Sequence, residues 1–243
     1  SFTAGAAGGG GDGGAVTGTN TGALTTLGDG AEGIFAQSVG GGGGAGGGRS
    51  YSKAIGSLTG FAGTTGGTGR AANVTITQTG DIHATGTDSF GILAQSIGTD
   101  GNGDIVVTIN SGTIVGGAGN GAGIGLLDGA ANRVSNSGIV TSVALVDGFA
   151  MTATDGDDTV DNFGTMIGSI TLGGGANTFN NKTDSLFVMG ATVALGSGTL
   201  ANDGVVSPGD AGRVMTTTIT GNFTQSAGGT YVASVDFMAN DGD

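Results

Sequence analysis

The stretch Gly91 to Gly98, GILAQSIG, repeats Gly33 to Gly40, GIFAQSVG, fifty-eight residues further along the chain. Six of the eight positions are identical, and the two changes, Phe35 to Leu93 and Val39 to Ile97, exchange one apolar residue for another. The first copy runs into the tract GGGGGAGGG and the second into TDGNGD. Catalytic motifs are seldom duplicated in this way, whereas structural repeats are.

Working outward from the second copy, residues 72–98 read as one unit. A strand over 73–78 meets a corner at Gly80, and a short strand from Ile82 to Ala84 meets a turn at Gly86 to Asp88. A third strand then follows in FGILAQSIG. Three short strands joined at glycine corners in about 26 residues make one rung of a parallel β-helix. Glycine at such corners is expected to supply positive φ without a Cβ clash. The octapeptide is one side of the rung, and the glycine tract is the loop that leaves it.

A second signature marks the rungs: an amide residue, any residue, Gly, and then an apolar or β-branched residue. It stands at Gln78-Thr79-Gly80, Asn110-Ser111-Gly112, Asn136-Ser137-Gly138, Asn162-Phe163-Gly164 and Asn202-Asp203-Gly204, with starts 32, 26, 26 and 40 residues apart. Periods of this size indicate solenoids or arrays. Alternating Val, Ile and Thr ahead of the amides give the period-2 strand signal, and no stretch carries a capped helical stripe. Two places before the amide, Ile76, Val134, Val160 and Leu200 are assigned to the interior together with Val74, leaving Thr75 and Thr77 outside. One rung is ambiguous: alternation buries Ile105, Val107 and Ile109, whereas alignment on Asn110 buries Val106 and Thr108.

Composition bounds the function. Of 243 residues 58 are Gly, with one Pro, no Cys, no Trp, ten Phe and two Tyr, yet 37% are hydrophobic, so there is apolar surface to bury. Nineteen acids against six bases give a net charge of −13. All the acids but Glu32 are Asp, which suits turns rather than helices. A chain this acidic repels phosphate, so nucleic acid and anionic lipid are poor partners. Absence of cysteine removes disulfide and thiolate chemistry. The start SFTAGAAGG carries no signal-peptide pattern, no run is long and apolar enough for a membrane-spanning helix, and the chain reads as an interior piece of something longer.

The strings ANVTITQTGDIHATGTDSFGILAQSIG and GIFAQSVGGGGGAGGG resemble glycine-rich passenger repeats of Gram-negative autotransporters, the type V secretion systems. GDDTVDNFGTMIGSITLGGGANTFNN is similar to later rungs of such passengers, and GTLANDGVVSPGD with ITGNFTQSAGGTYVASVDF to the segment just ahead of the translocator barrel. The resemblance implies an all-β, right-handed parallel β-helix displayed at the cell surface and anchored at the outer membrane through its own translocator β-barrel. Structural or adhesive work, possible contact with host or neighbouring cells, no cofactor and no small-molecule substrate go with it. Twelve aromatics are too few for the aromatic girdles of a barrel, so the barrel is expected to lie outside this sequence. Three segments are expected: 1–70 as glycine-rich irregular rungs or loops, 72–190 as regular rungs, and 195–243 as a terminal unit whose aromatics close the core. Residues 1–20 and 40–50 are expected to be the most mobile, since glycine loses most backbone entropy on ordering.

Two chemical alternatives remain open. Gly156-Asp157-Asp158-Thr159-Val160 and Gly175-Ala176-Asn177-Thr178-Phe179 each fit a fragment of the calcium nonapeptide, but 19 residues apart rather than nine, and the bland reading is Asx turns at corners. A β-helix enzyme acting on polysaccharide needs paired carboxylates, or acids with a base, on one face. Asp155, Asp157, Asp158 and Asp161 form the one acid cluster, and the nearest bases, Arg133 and Lys182, lie well away in sequence. A carboxylate–base cluster on one face of the solenoid would decide for the enzyme. No Gly-Lys-Ser/Thr follows either glycine tract, so no phosphate loop is encoded. His83, the one histidine, reads as an outward strand residue, and the acceptor patterns at Asn73 and Asn222 are of a kind frequent by chance. No catalytic, cofactor-binding or metal-binding residue is assigned.

Overall fold

A computed structural model describes residues 11–41 and 68–235. It is a parallel β-helix. The first rung is β1 (Val16–Asn20), β2 (Leu24–Thr26) and β3 (Ile34–Gly40); the second is β4 (Val74–Gln78), β5 (Ile82–Ala84) and β6 (Phe90–Gly98). The third is β7 (Ile105–Ile109), β8 (Thr113–Gly116) and β9 (Ala122–Asp128). The fourth is β10 (Ala131–Asn136), β11 (Ile139–Ser142) and β12 (Phe149–Ala153), with a 3-10 turn at Leu145–Asp147. Later rungs run β13 (Asp157–Asn162), β14 (Thr165–Thr171), β15 (Thr178–Asn181), β16 (Leu186–Asn202), β17 (Val205–Pro208), β18 (Thr218–Gln225) and β19 (Thr230–Tyr231).

Every paired strand is parallel to its partner on the adjoining rung, and the strands fall into three faces. The first stacks β1, β4, β7, β10, β13 and β15, then the end of β16 and the end of β18. The second stacks β2, β5, β8 and β11, then the starts of β14 and β16, then β17 and β19. The third stacks β3, β6, β9 and β12, then parts of β14, β16 and β18. Both copies of the octapeptide lie in register across β3 and β6, Ile34 beside Ile92 through Gly40 beside Gly98.

The regular coil begins well before residue 72, because Val16 to Gly40 forms a complete rung. Of the segments expected to be mobile, 1–10 and 42–50 lie outside the described residues, while 16–20 is a strand paired to β4. The rungs are also not uniform at 26 residues. Successive in-register partners are offset by 58, 31, 27, 26, 19, 21 and 23 residues. The offset of 58 includes residues 42–67, which lie outside the described residues. The short offsets belong to rungs in which β14 and β16 turn from face to face without leaving the sheet.

One hydrophobic column fills each face, and together they make a single core. Val74, Ile76, Val134, Val160 and Leu200 are buried as the alternation requires, with Thr75 and Thr77 on the outside. The ambiguous rung resolves in favour of alternation: Ile105, Val107 and Ile109 are fully buried, and Asn110 is exposed. In the middle of the coil Phe179 and Phe187 stack at 4.7 Å between ring centroids. Of the terminal aromatics expected to close the core, Phe237 lies outside the described residues, and the described ones do not cover the core. Phe223 and Tyr231 are 40% and 53% exposed, because no further described rung lies over them.

The outer side of the third face carries a small apolar cluster of Phe90, Leu93, Ala122 and Leu127. The Phe90 ring lies across Gly125, where a Cβ would stand 2.7 Å from the ring. This distinguishes the two octapeptides: Leu93 is covered, whereas Phe35, its in-register counterpart, is 47% exposed.

The glycine of the amide signature has a reason other than positive φ. Of Gly80, Gly112, Gly138 and Gly164, only Gly112 has positive φ. A Cβ on Gly80 would run into the carbonyl of Gly22, one on Gly112 into Gly80, one on Gly138 into Gly112 and one on Gly164 into Gly138. These corners stack so closely that each leaves no room for a side chain on the next. Because Gly138 has ordinary φ, backbone entropy alone would make Gly138→Ala neutral or stabilising. Stacking instead predicts a loss of about 1–3 kcal/mol, as in overpacking, measurable by denaturant melts. On the strand itself, Ile76→Ala is expected to cost about 2–5 kcal/mol. Thr75→Ala should stay within about 0.5 kcal/mol of wild type, and equal losses at the two positions would contradict this register.

Candidate functional site

Except at Asn110, the amide of the signature lies at the inner edge of the first face, two residues before the glycine corner. Asn136 donates to Asn162 Oδ1 at 2.8 Å, Asn162 to Asn181 at 2.9 Å, Asn181 to Asn202 at 2.9 Å, and Asn202 to Gln225 Oε1 at 3.0 Å. At the other end Asn20 donates to Gln78 at 3.0 Å. Between these runs Ile109 occupies the column, in register with both Gln78 and Asn136. The second amide proton is used as well: Asn136, Asn162, Asn181 and Asn202 bond the carbonyls of Thr165, Leu186, Val205 and Thr230. An amide can both donate to and accept from a copy of itself, so a buried column of them is satisfied throughout.

The aspartates do a complementary job at the corners. Asp12, Asp29, Asp81, Asp104, Asp155 and Asp157 each accept the backbone N–H of the in-register residue on the next rung. The donors are Arg70, Thr87, Thr113, Ala131, Gly174 and Ala176, at 2.7–3.1 Å. Asp88 does the same for Asn120, and Asn73, one of the two glycosylation-pattern residues, for Asp104. Charge-assisted bonds of this kind are stronger than neutral ones, and the reach needed is the short one of Asp.

The acid cluster of residues 155–161 is therefore not one site. Asp155 and Asp157 are exposed clamps, Asp158 points into the coil, and Asp161 points out of the first face. Sequence distance concealed a real grouping here. Adjacent rungs bring Arg133 within 2.9 Å and Lys182 within 2.8 Å of Asp161, and Asn180 donates to it at 2.9 Å. Lys182 also lies 5.8 Å from the centroid of the Phe163 ring. Burial alone pushes the Asp161 carboxyl up, but the hydrogen bonds from Lys182, Arg133 and Asn180 outweigh it and hold it at about 2. This is a carboxylate–base cluster on one face, but it contains one acid, with both oxygens engaged. Glycoside hydrolysis needs two carboxyl groups, one of them able to hold a proton near neutral pH. The geometry is that of an inter-rung staple.

Asp158 differs from all the others. It is 1% exposed, in a second polar column at the opposite edge of the first face: Asn132 Nδ2 donates to its Oδ1 at 2.8 Å, and its own N–H donates to Asn177 Oδ1 at 2.9 Å. Its Oδ2 has no partner among the described residues. Burial pushes this carboxyl up to about 7 against the Asn132 bond, and the Asp157 charge adds to the rise. Asp157 and Asp158, the calcium candidates, thus face opposite sides of β13. Among the described residues no group of three or more His, Cys, Asp or Glu side chains is placed to hold a metal. His83 lies half-buried on the outer side of β5, in register with Thr25 and Val115.

Sequence reading missed three ladder members, Asn20, Asn181 and Gln225, the last followed by Ser226-Ala227 instead of x-Gly. Asn181 is followed by Lys182-Thr183 instead of x-Gly, so the 40-residue gap between Asn162 and Asn202 hid a whole rung. Asn20-Thr21-Gly22 does carry the signature, and could have been found by extending it toward the N-terminus.

A carboxylate held below its unfolded pKa contributes stability above that pKa and loses it as the pH falls through the folded value. Wild type should lose the Asp161 contribution as the pH drops from about 4 toward 2. Asp161→Asn is expected to be less stable by about 1–2 kcal/mol at pH 6, with the gap closing by pH 2 in thermal melts.

No family model, no curated protein and no solved structure matches this chain.

Proposed function

We propose that this chain is a length of surface-displayed rod, the passenger region of an autotransporter, with a structural or adhesive role and no catalysis. The observation that carries the reading is the use made of its polar residues. Amides and aspartates that would build a reactive site elsewhere are engaged in holding one rung to the next. A coil of this kind extends by adding rungs, each contacting only its neighbours, which suits a stalk. The resemblance of the repeats to such passengers supports a cell-surface location, and the partners that go with it are the chain's own translocator barrel and a host or neighbouring cell surface.

Antibody raised against the purified chain should label intact cells of the source, and external protease should remove the label. Labelling only after permeabilisation would overturn the reading. The calcium alternative has its own check, since a calcium-built repeat would melt lower in chelator. We expect the melting curves with and without chelator to superimpose.

A further inference from the structure

We propose that Asp158 is a proton-operated latch on the corner between the third and first faces. With its carboxyl neutral the residue holds its place between Asn132, which bonds the carboxyl, and Asn177, which accepts its backbone N–H, and with its carboxyl ionised it loosens residues 154–157 and 172–177. The position is one where the neighbouring rungs carry an amide on both sides. Asn132 lies below and Asn177 above, and each is almost fully buried. The carboxyl accepts from Asn132 through one oxygen alone; neutral, it sits among the amides without a charge, whereas a carboxylate buries a full charge on two acceptors.

The surroundings offer an ionised form one hydrogen bond and, among the described residues, no cation. One oxygen is bonded to Asn132, and the other is buried without a partner among the described residues. The charged groups of the elements packed around it are acids or are turned away. Asp128, at the end of β9, accepts from Gln95. Asp155 and Asp157 clamp Gly174 and Ala176. Arg133, beside Asn132, points outward to Asp161, as does Lys182 beyond β15. An unpaired buried charge is a costly state that the local structure relieves by opening. Burial raises this carboxyl toward neutrality, which places the change in mild conditions.

The sign follows from linkage. A carboxyl with a raised folded pKa stabilises the fold fully below its unfolded value, and that contribution is lost as the pH rises through the folded value near 7. Hydrogen exchange by mass spectrometry, corrected for intrinsic rates, should be run on the wild-type chain and on Asp158→Asn at pH 5.5 and 8.5. In wild type, peptides covering 154–157 and 172–177 should lose protection about tenfold or more at the higher pH, while 74–78 does not change. Asp158→Asn should hold its protection at both. A wild-type corner indifferent to pH, or an Asp158→Asn corner that still loosens, would overturn the proposal. Should the variant fail to fold, the carbon-13 shift of the wild-type Asp158 carboxyl provides the second measurement. A midpoint in the ordinary aspartate range near 4 would overturn the latch, and one near neutrality would support it.

Discussion

A parallel coil in register places every side chain above its counterpart on the rung below, and that constraint decides which polar residues this molecule can use. An apolar residue stacks on an apolar residue without difficulty, as Val134 does on Val107 and Val160 on Val134. A polar residue must satisfy its counterpart. Amides do so because they are donor and acceptor at once, and the column from Asn136 to Gln225 is built of nothing else. Carboxylates cannot stack on carboxylates. The corner aspartates therefore stand where the rung above presents a backbone N–H, and the in-register residue there is Thr, Ala, Gly or Arg rather than another acid.

From this follows the odd composition. Asp outnumbers Glu because the clamp spans a single rung spacing, and a longer side chain would overshoot the amide it must reach. Glycine recurs after the amide because the corner backbones of successive rungs nearly touch. The strongly negative charge is a by-product of a clamp repeated along the rod. Asp158 is informative because it departs from the pattern: an acid in an amide position, with one oxygen left over. It is the place where the stacking rule and the ionisation of the side chain conflict.

The fold was legible because alternation and the amide signature report backbone geometry directly, so Ile76, Val134 and Val160 could be placed inside from letters alone. Where two local signals disagreed, at Ile109 and Asn110, hydrophobic alternation prevailed: three buried apolar side chains outweigh one amide, and the column tolerates the gap. The short rungs were not legible, since a rung of 19 residues with Lys182-Thr183 at its corner carries no glycine mark. Nor was the grouping of Arg133, Asp161 and Lys182. Their proximity depends on rung lengths, which are set by how β14 and β16 turn between faces rather than by any motif.

The buried amides from Asn136 to Asn202 form one continuous hydrogen-bonded column between rungs. Solvent exchange of the side-chain carboxamide protons, resolved residue by residue by nuclear magnetic resonance, tests it most directly. Strong protection is expected at Asn136, Asn162 and Asn181, each fully buried and donating to the next rung, with much faster exchange at the exposed Asn110. Exchange at Asn162 as fast as at Asn110 would contradict it.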